Sequence, residues 1–234
     1  SKLADKLSRI HNSFILECDR YHKWERNDDN WSIITHLNPK ANFLTKMRND
    51  IFDLKIGRDI YHVNYDHESG VFTEVERIKS RDTIIVCGLH AGYNEHIPTL
   101  KIYLDTQHKL NDFWKIKRDV TERNKSMHDV VEQIKNRMDD FNSFILPQKQ
   151  SADVIIRFYT DDEIHLEDIY QEYSINLQIT FQSDFCIKYI MNYLNDINIQ
   201  YQFKIINNNN VIVLFGKSDY YEILYDIITK ISLK

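Results

Sequence analysis

Apolar positions change period along this chain, and the changes mark its elements. Leu3, Leu7 and Ile10 recur at helical spacing and predict a helix over residues 1–10. SFILEC (13–18) is a short unbroken apolar run, as expected of a buried parallel strand. Phe43, Met47, Ile51 and Leu54 form one stripe of a helix over 41–55, with Gly57 as its stop. IYHVNY and GVFTEV flank the turn Asp66–Gly70 and predict a hairpin. DTIIVC (82–87) and TLKIYLD (99–105) read as strands. A charged helix comes next, ended by Asn124, and Ser126 reads as the N-cap of a second helix over 127–146 that Pro147 stops. ADVIIRF, INLQITF, CIKYIMNYLNDI, YQFKII, NVIVLFG and YYEILYDIITKI then give strand, strand, helix, strand, strand and helix, with the Asn207–Asn210 tract as a turn.

Strands alternating with helices predict an α/β fold, its sheet mostly parallel at first and flanked by helices. We divide the chain into a core over 1–160 and a C-terminal α+β extension of the same domain over 161–234.

Composition narrows the function classes. A chain of 234 residues, 42% hydrophobic, is long enough for one sizeable domain and too apolar for disorder. A net charge of −5 argues against a nucleic-acid or membrane-surface binder. Cys18, Cys87 and Cys186 are widely spaced and form no metal-ligand pattern, so we expect reduced thiols and a cytoplasmic location. No apolar run reaches the length of a membrane span, and no signal peptide is read at the start.

Two places carry candidate chemistry. Asp19 comes just after the first strand and opens a dense polar and aromatic loop. In open α/β sheets ligands gather at that edge, and a carboxylate there suits a general base. A turn or N-cap aspartate explains it equally well. On the charged helix, Lys115, Arg118 and Asp119 share a face, and Arg123 falls near the helix end. Three cations beside one carboxylate suit a phosphate clamp, although spacing by itself favours an ordinary solvated helix. His62 and His67 read as a surface pair with no third ligand at a telling spacing.

Longer segments carry a resemblance. Cys18–His22 (CDRYH), LNPKAN (37–42), NYDHESG (64–70), IIVCGLH (84–90), YLDT (103–106), WKIKRDVTERNKS (114–126) and LPQKQSADVII (146–156) stand in one order. In them the chain resembles the phosphoribulokinase and uridine kinase family of P-loop kinases, and looks closer to phosphoribulokinase. The resemblance implies an ATP-dependent kinase with Mg²⁺ that phosphorylates a hydroxyl of a sugar phosphate. It makes Asp19 the base for that hydroxyl. It gives His22 and Arg26 to the sugar phosphate, and Tyr65 and His67 to the substrate side of the hairpin. Lys115, Arg118 and Arg123 match residues that face the nucleotide phosphates, with Asp119 as their acidic neighbour. Arg137 and Lys149 match further basic positions.

Two departures accompany it. The chain has no GxxxxGK[ST] loop; Ser1–Leu7 instead resembles the residues just after the Gly-Lys of that loop, so Ser1 is implied as the Mg²⁺-facing hydroxyl, with the first strand and the loop missing ahead of it. Cys87 stands where the family usually carries an acidic residue, and a neutral thiol is a poor ligand for a hard cation. The alternatives to a sugar-phosphate kinase are a kinase for a nucleoside or an unusual sugar, and a catalytically weakened member acting as a scaffold. The expected partner is a small-molecule acceptor, a sugar phosphate or a nucleoside. No nucleic-acid or membrane partner is expected, and the C-terminal strands are compatible with a homodimer.

Overall fold

A computed structural model gives the fold and describes residues 2–94, 96–182, 187–215 and 220–232. Its contacts divide the chain into two compact units, Ser1–Thr99 with Asp139–Ser151, and Leu100–Met138 with Ala152–Lys234. The boundary expected from the sequence lay instead at residue 160.

In the first unit, α1 (Lys2–His11) buries Ala4 and Leu7 and leads into β1 (Phe14–Glu17). β1 pairs in parallel with β4 (Ile84–Cys87), Glu17 opposite Cys87. All four residues of β4 are half-buried. α2 (Leu44–Lys55) buries Met47, Ile51 and Leu54 as its periodicity requires. Phe43 does not join that stripe: it precedes the helix as its N-cap and is half exposed. Asp50 is buried on this helix instead, taking Lys46 Nζ at 3.1 Å and the Tyr21 hydroxyl at 3.0 Å. Gly57, at φ +85°, ends the turn after the helix in a backbone conformation that costs glycine little. β2 (Ile60–His62) and β3 (Glu76–Ile78) are antiparallel. The hairpin's second strand is thus later than GVFTEV, which contributes only the Tyr65–Phe72 bridge around the Asp66–Gly70 turn.

In the second unit, β5 (Ile102–Thr106), β6 (Val154–Tyr159), β7 (Asn176–Phe181), β8 (Gln202–Ile206) and β9 (Asn209–Leu214) form one sheet in the order β5-β6-β7-β9-β8. β5 and β6 run in parallel, and every pairing after them is antiparallel. The sheet is therefore mixed. β6, β7 and β9 supply most of its buried positions, while β8 is exposed along its length. Asn207 and Asn208, at φ +49° and +63°, make the β8–β9 turn, which needs two left-handed residues in a row. α3 (His108–Thr121), α5 (Ile187–Asp196) and α6 (Tyr220–Ser232) complete the unit.

α4 (Met127–Asp140) crosses the unit boundary in sequence. It does not continue to residue 146 as one α-helix. The chain loosens into a π-turn over Phe141–Ile145 and tightens into a 3₁₀ stretch over Leu146–Ser151. Pro147 explains this, because its ring and missing N–H disrupt the preceding turn yet fit the start of a new one. Among the described residues, no helix is long and apolar enough to cross a membrane.

Candidate active site

β1 ends at Glu17, and one 3₁₀ turn, Cys18–Tyr21, brings Asp19 to the carboxyl end of the strand. Cys18 and Tyr21 are buried beneath it, whereas the Asp19 side chain is 34% exposed. Gly88, at φ +139°, is required behind this turn: a Cβ there would lie 2.6 Å from Cys18 Cβ. Asp19 is flanked by two imidazoles. His22 Nε2 lies 3.5 Å from Asp19 Oδ1, and His67 Nε2 lies 3.9 Å from Asp19 Oδ2. His67 Nε2 also stands 3.2 Å from Glu17 Oε2.

The hairpin turn presents His67. Asp66 accepts from the backbone N–H groups of Glu68 and Ser69 at 2.9 and 3.3 Å, and with the Ser69 hydroxyl these bonds hold its carboxyl below the ordinary range. Arg26 ties the turn down. Its guanidinium donates to the carbonyls of Glu68, at 3.0 Å, and His67, and its backbone N–H donates to Gly70 O at 2.8 Å. Any side chain at Gly70 would strike Arg26. Tyr65 is buried, its ring edge-on at 5.7 Å from His22 and 5.4 Å from His67. Asp19, His22, Arg26, Tyr65 and His67 therefore form one cluster within the first unit. His62 is buried rather than at the surface, its ring tilted against Tyr21 with centroids 4.4 Å apart, and burial keeps its ring less basic than usual.

Sequence reasoning misses four neighbours. Glu17 is the last residue of a strand and carries no local signal of its own. Trp31 donates its indole N–H to Glu25 O at 2.6 Å and sets its ring edge-on, 5.5 Å from His22 and 5.2 Å from Trp24. Asn42 and His90 end the LNPKAN and IIVCGLH segments and are buried behind His22. Their place in those segments was the available signal, but nothing local shows that they meet.

In the second unit the centre is Asp119, whose side chain is 1% exposed. It accepts from Lys115 Nζ at 3.0 Å, Arg118 Nε at 2.9 Å and Arg123 Nη1 at 3.2 Å. Lys115 and Asp119 meet through i,i+4 spacing on α3. Arg123 reaches back because the helix has ended at Thr121 and Asn124 turns at φ +51°. Gln133 of α4 accepts a second bond from Lys115 at 2.9 Å. Burial alone would raise the Asp119 carboxyl, but bonds from Lys115 and Arg118 reverse that and hold it below its usual range. Burial makes Lys115 less basic, and pushes Arg137 down to about 10, still cationic at neutral pH. This face is not a plain solvated helix. Four cations around one carboxylate leave an excess of positive charge, which fits polyphosphate.

Ser1, the implied Mg²⁺ hydroxyl, lies outside the described residues. Among the described residues no three His, Cys, Asp or Glu side chains are grouped to hold an ion. Burial pushes the Cys87 thiol up to about 11, so it stays protonated at neutral pH.

A sequence profile described as "Phosphoribulokinase / Uridine kinase family" matches residues 7–165. The phosphoribulokinase of Synechocystis sp. is 35% identical over 146 residues, covering 61% of this chain and 44% of that protein. The chloroplastic phosphoribulokinase of Chlamydomonas reinhardtii is 36% identical over 146 residues, covering 61% and 39%. A uridine kinase of Macrococcus caseolyticus is 30% identical over 152 residues, covering 61% and 72%. The matched region thus spans less than half the length of the Synechocystis and Chlamydomonas phosphoribulokinases. The solved structure of phosphoribulokinase from Rhodobacter spheroides superposes with a TM-score of 0.73 at 19% identity, covering 99% of this chain and 92% of that one. That likeness shows the α/β P-loop kinase fold. The chain belongs to the phosphoribulokinase / uridine kinase family.

Proposed function

We propose that this family member is an ATP-dependent kinase that phosphorylates a hydroxyl of a sugar phosphate, as phosphoribulokinases do. The observation that carries the reading is Asp19, a partly exposed carboxylate at the end of a strand, between His22 and His67. Asp19 takes the proton of the acceptor hydroxyl as its oxygen bonds to the γ-phosphorus of ATP and the bond from that phosphorus to the β-bridging oxygen breaks, releasing ADP. Lys115, Arg118 and Arg123 compensate the charge on the nucleotide phosphates. Mg²⁺, when bound, would add further compensation of phosphate charge, but no described residue is assigned to it. The reading places the protein in the cytoplasm. The open β8 edge exposes Phe203, Ile205 and Ile206, which supports a homodimer, checked by analytical ultracentrifugation.

A nucleoside acceptor is the second reading. Trp31, His36 and Tyr65 stand edge to face around His22, Trp24 stands edge-on to Trp31, and such rings suit a flat base. ADP release by the full-length protein, measured with a panel of pentose phosphates and nucleosides, separates the two. Ribulose 5-phosphate is expected to stimulate release; stimulation by uridine alone selects the second reading. Nucleotide binding without turnover on any acceptor rejects both and leaves a scaffold.

A further inference from the structure

Asn42 has no role in the resemblance, yet its surroundings determine where its amide points. The backbone fixes it beside His22: the two residues form an antiparallel bridge, Lys23 N–H donates to Ala41 O at 3.0 Å, and Phe43 N–H donates to Tyr21 O at 2.8 Å. Asn42 is 5% exposed. Its Nδ2 lies 3.2 Å from His36 O and 2.9 Å from Asn38 O. Carbonyl oxygens only accept, so the amide nitrogen belongs there and the amide oxygen faces the other way. That oxygen lies 2.7 Å from His22 Nδ1. An amide oxygen also only accepts, so His22 Nδ1 carries a hydrogen. Behind the amide, His90 Nε2 stands 2.9 Å from Asn42 Nδ2 and 3.0 Å from His36 O, and burial makes that ring less basic than usual. The two carbonyls orient Asn42 whichever hydrogen His90 bears.

A neutral His22 with its hydrogen on Nδ1 has its lone pair on Nε2, the nitrogen beside Asp19. The opposite tautomer would donate Nε2–H to Asp19 and occupy the oxygen that must take a proton. We propose that Asn42 is a positioning residue that holds His22 as the Nδ1–H tautomer, so that Nε2 accepts a hydrogen bond from a hydroxyl of the acceptor and leaves Asp19 free as the base. His22 then reads a hydroxyl group. A dianionic phosphate has no hydrogen to offer Nε2, so His22 holds the sugar phosphate through a hydroxyl and leaves its phosphate group to other residues. The inference rests on the kinase reading above.

Long-range proton–nitrogen spectra of the ¹⁵N-labelled protein at the assay pH report both His22 ring nitrogens, assigned by comparison with His22→Gln. The wild type is expected to show hydrogen on Nδ1 and a bare Nε2. Asn42→Ala is expected to move the hydrogen to Nε2 and lower kcat with ribulose 5-phosphate at least about tenfold, the loss of one oriented hydrogen bond, with the KM for ATP unchanged. Asn42→Asp keeps an acceptor at Nδ1 but adds a charge that draws a second hydrogen to Nε2, so its kcat is expected to fall as well, with hydrogen on both nitrogens. A wild-type ring bearing hydrogen on Nε2, or an Asn42→Ala protein with full kcat, overturns the inference. If Asn42→Ala does not fold, the wild-type spectrum and Asn42→Asp still decide. Wild-type protein without turnover rejects the kinase reading itself, and the catalytic role of Asn42 with it. Active wild type with the contrary ring signature rejects the inference alone.

Discussion

Asp19 and Asp119 are held by opposite means. Around Asp19 the order comes from oriented hydrogen bonds: an amide fixed by two backbone carbonyls holds His22, Arg26 pins the turn that bears His67, and the carboxylate stays partly open. Around Asp119 the order comes from charge: three cations close on a carboxylate with almost no exposed surface. A carboxylate left open beside histidines can gain and lose a proton. One clamped by cations is locked ionised and serves to hold those cations in place. The same side chain thus serves as candidate base in one cluster and as scaffold in the other, and environment makes the difference.

Substitution tests that contrast. Asp19→Asn should lower kcat by about 10²–10⁴-fold in steady-state assays while leaving nucleotide affinity and unfolding unchanged. A variant of full rate would show that openness does not mean reactivity here. Asp119→Ala should act through stability, costing about 3 kcal/mol in urea unfolding, because Lys115 is left partly buried without its carboxylate. The pH dependence has its origin in the same carboxylate. The Asp119 carboxyl sits below its usual range in the folded protein, so the unfolded chain binds its proton first. Its contribution is complete above the ordinary carboxylate range, near pH 4, and is lost as pH falls through the folded value. Unfolding midpoints measured against pH should therefore drop more steeply on acidification in the wild type than in Asp119→Asn. Lys115→Met should weaken ATP binding about tenfold by calorimetry, with the acceptor KM unchanged. An equal loss for acceptor and nucleotide would blur the division of labour. Ser126→Ala should do least, about 1 kcal/mol of stability with no kinetic change, because it removes only the hydroxyl that caps α4 by accepting from Asp129 N–H at 3.1 Å.

The elements whose apolar spacing was longest were the most legible. α2, α3, β6 and the succession from β7 to α6 fall within a few residues of where periodicity placed them. Errors arose where a side chain answers to distant partners. Phe43 fits the helical stripe by spacing, but its backbone turns before the helix starts. His62 looks like a surface residue in a polar hairpin, yet Tyr21 from another element covers it. The second hairpin strand slid because the turn's hydrogen bonds, with Arg26 and Asp66, fixed residues 66–70 and left the paired register to Ile60 and Ile78.

Local chemistry determined the period of each element, the αL turns at Asn124 and Asn207–Asn208, the Lys115–Asp119 spacing and the segments that identify the family, because all of these depend on residues a few positions apart. Only the tertiary structure decided that Asn42 meets His22, that His67 leans on Glu17 and Asp19, and that Asp119 is buried under three cations. Those arrangements join residues far apart along the chain or depend on burial, and neither periodicity nor spacing carries information about which distant side chains will exclude water together.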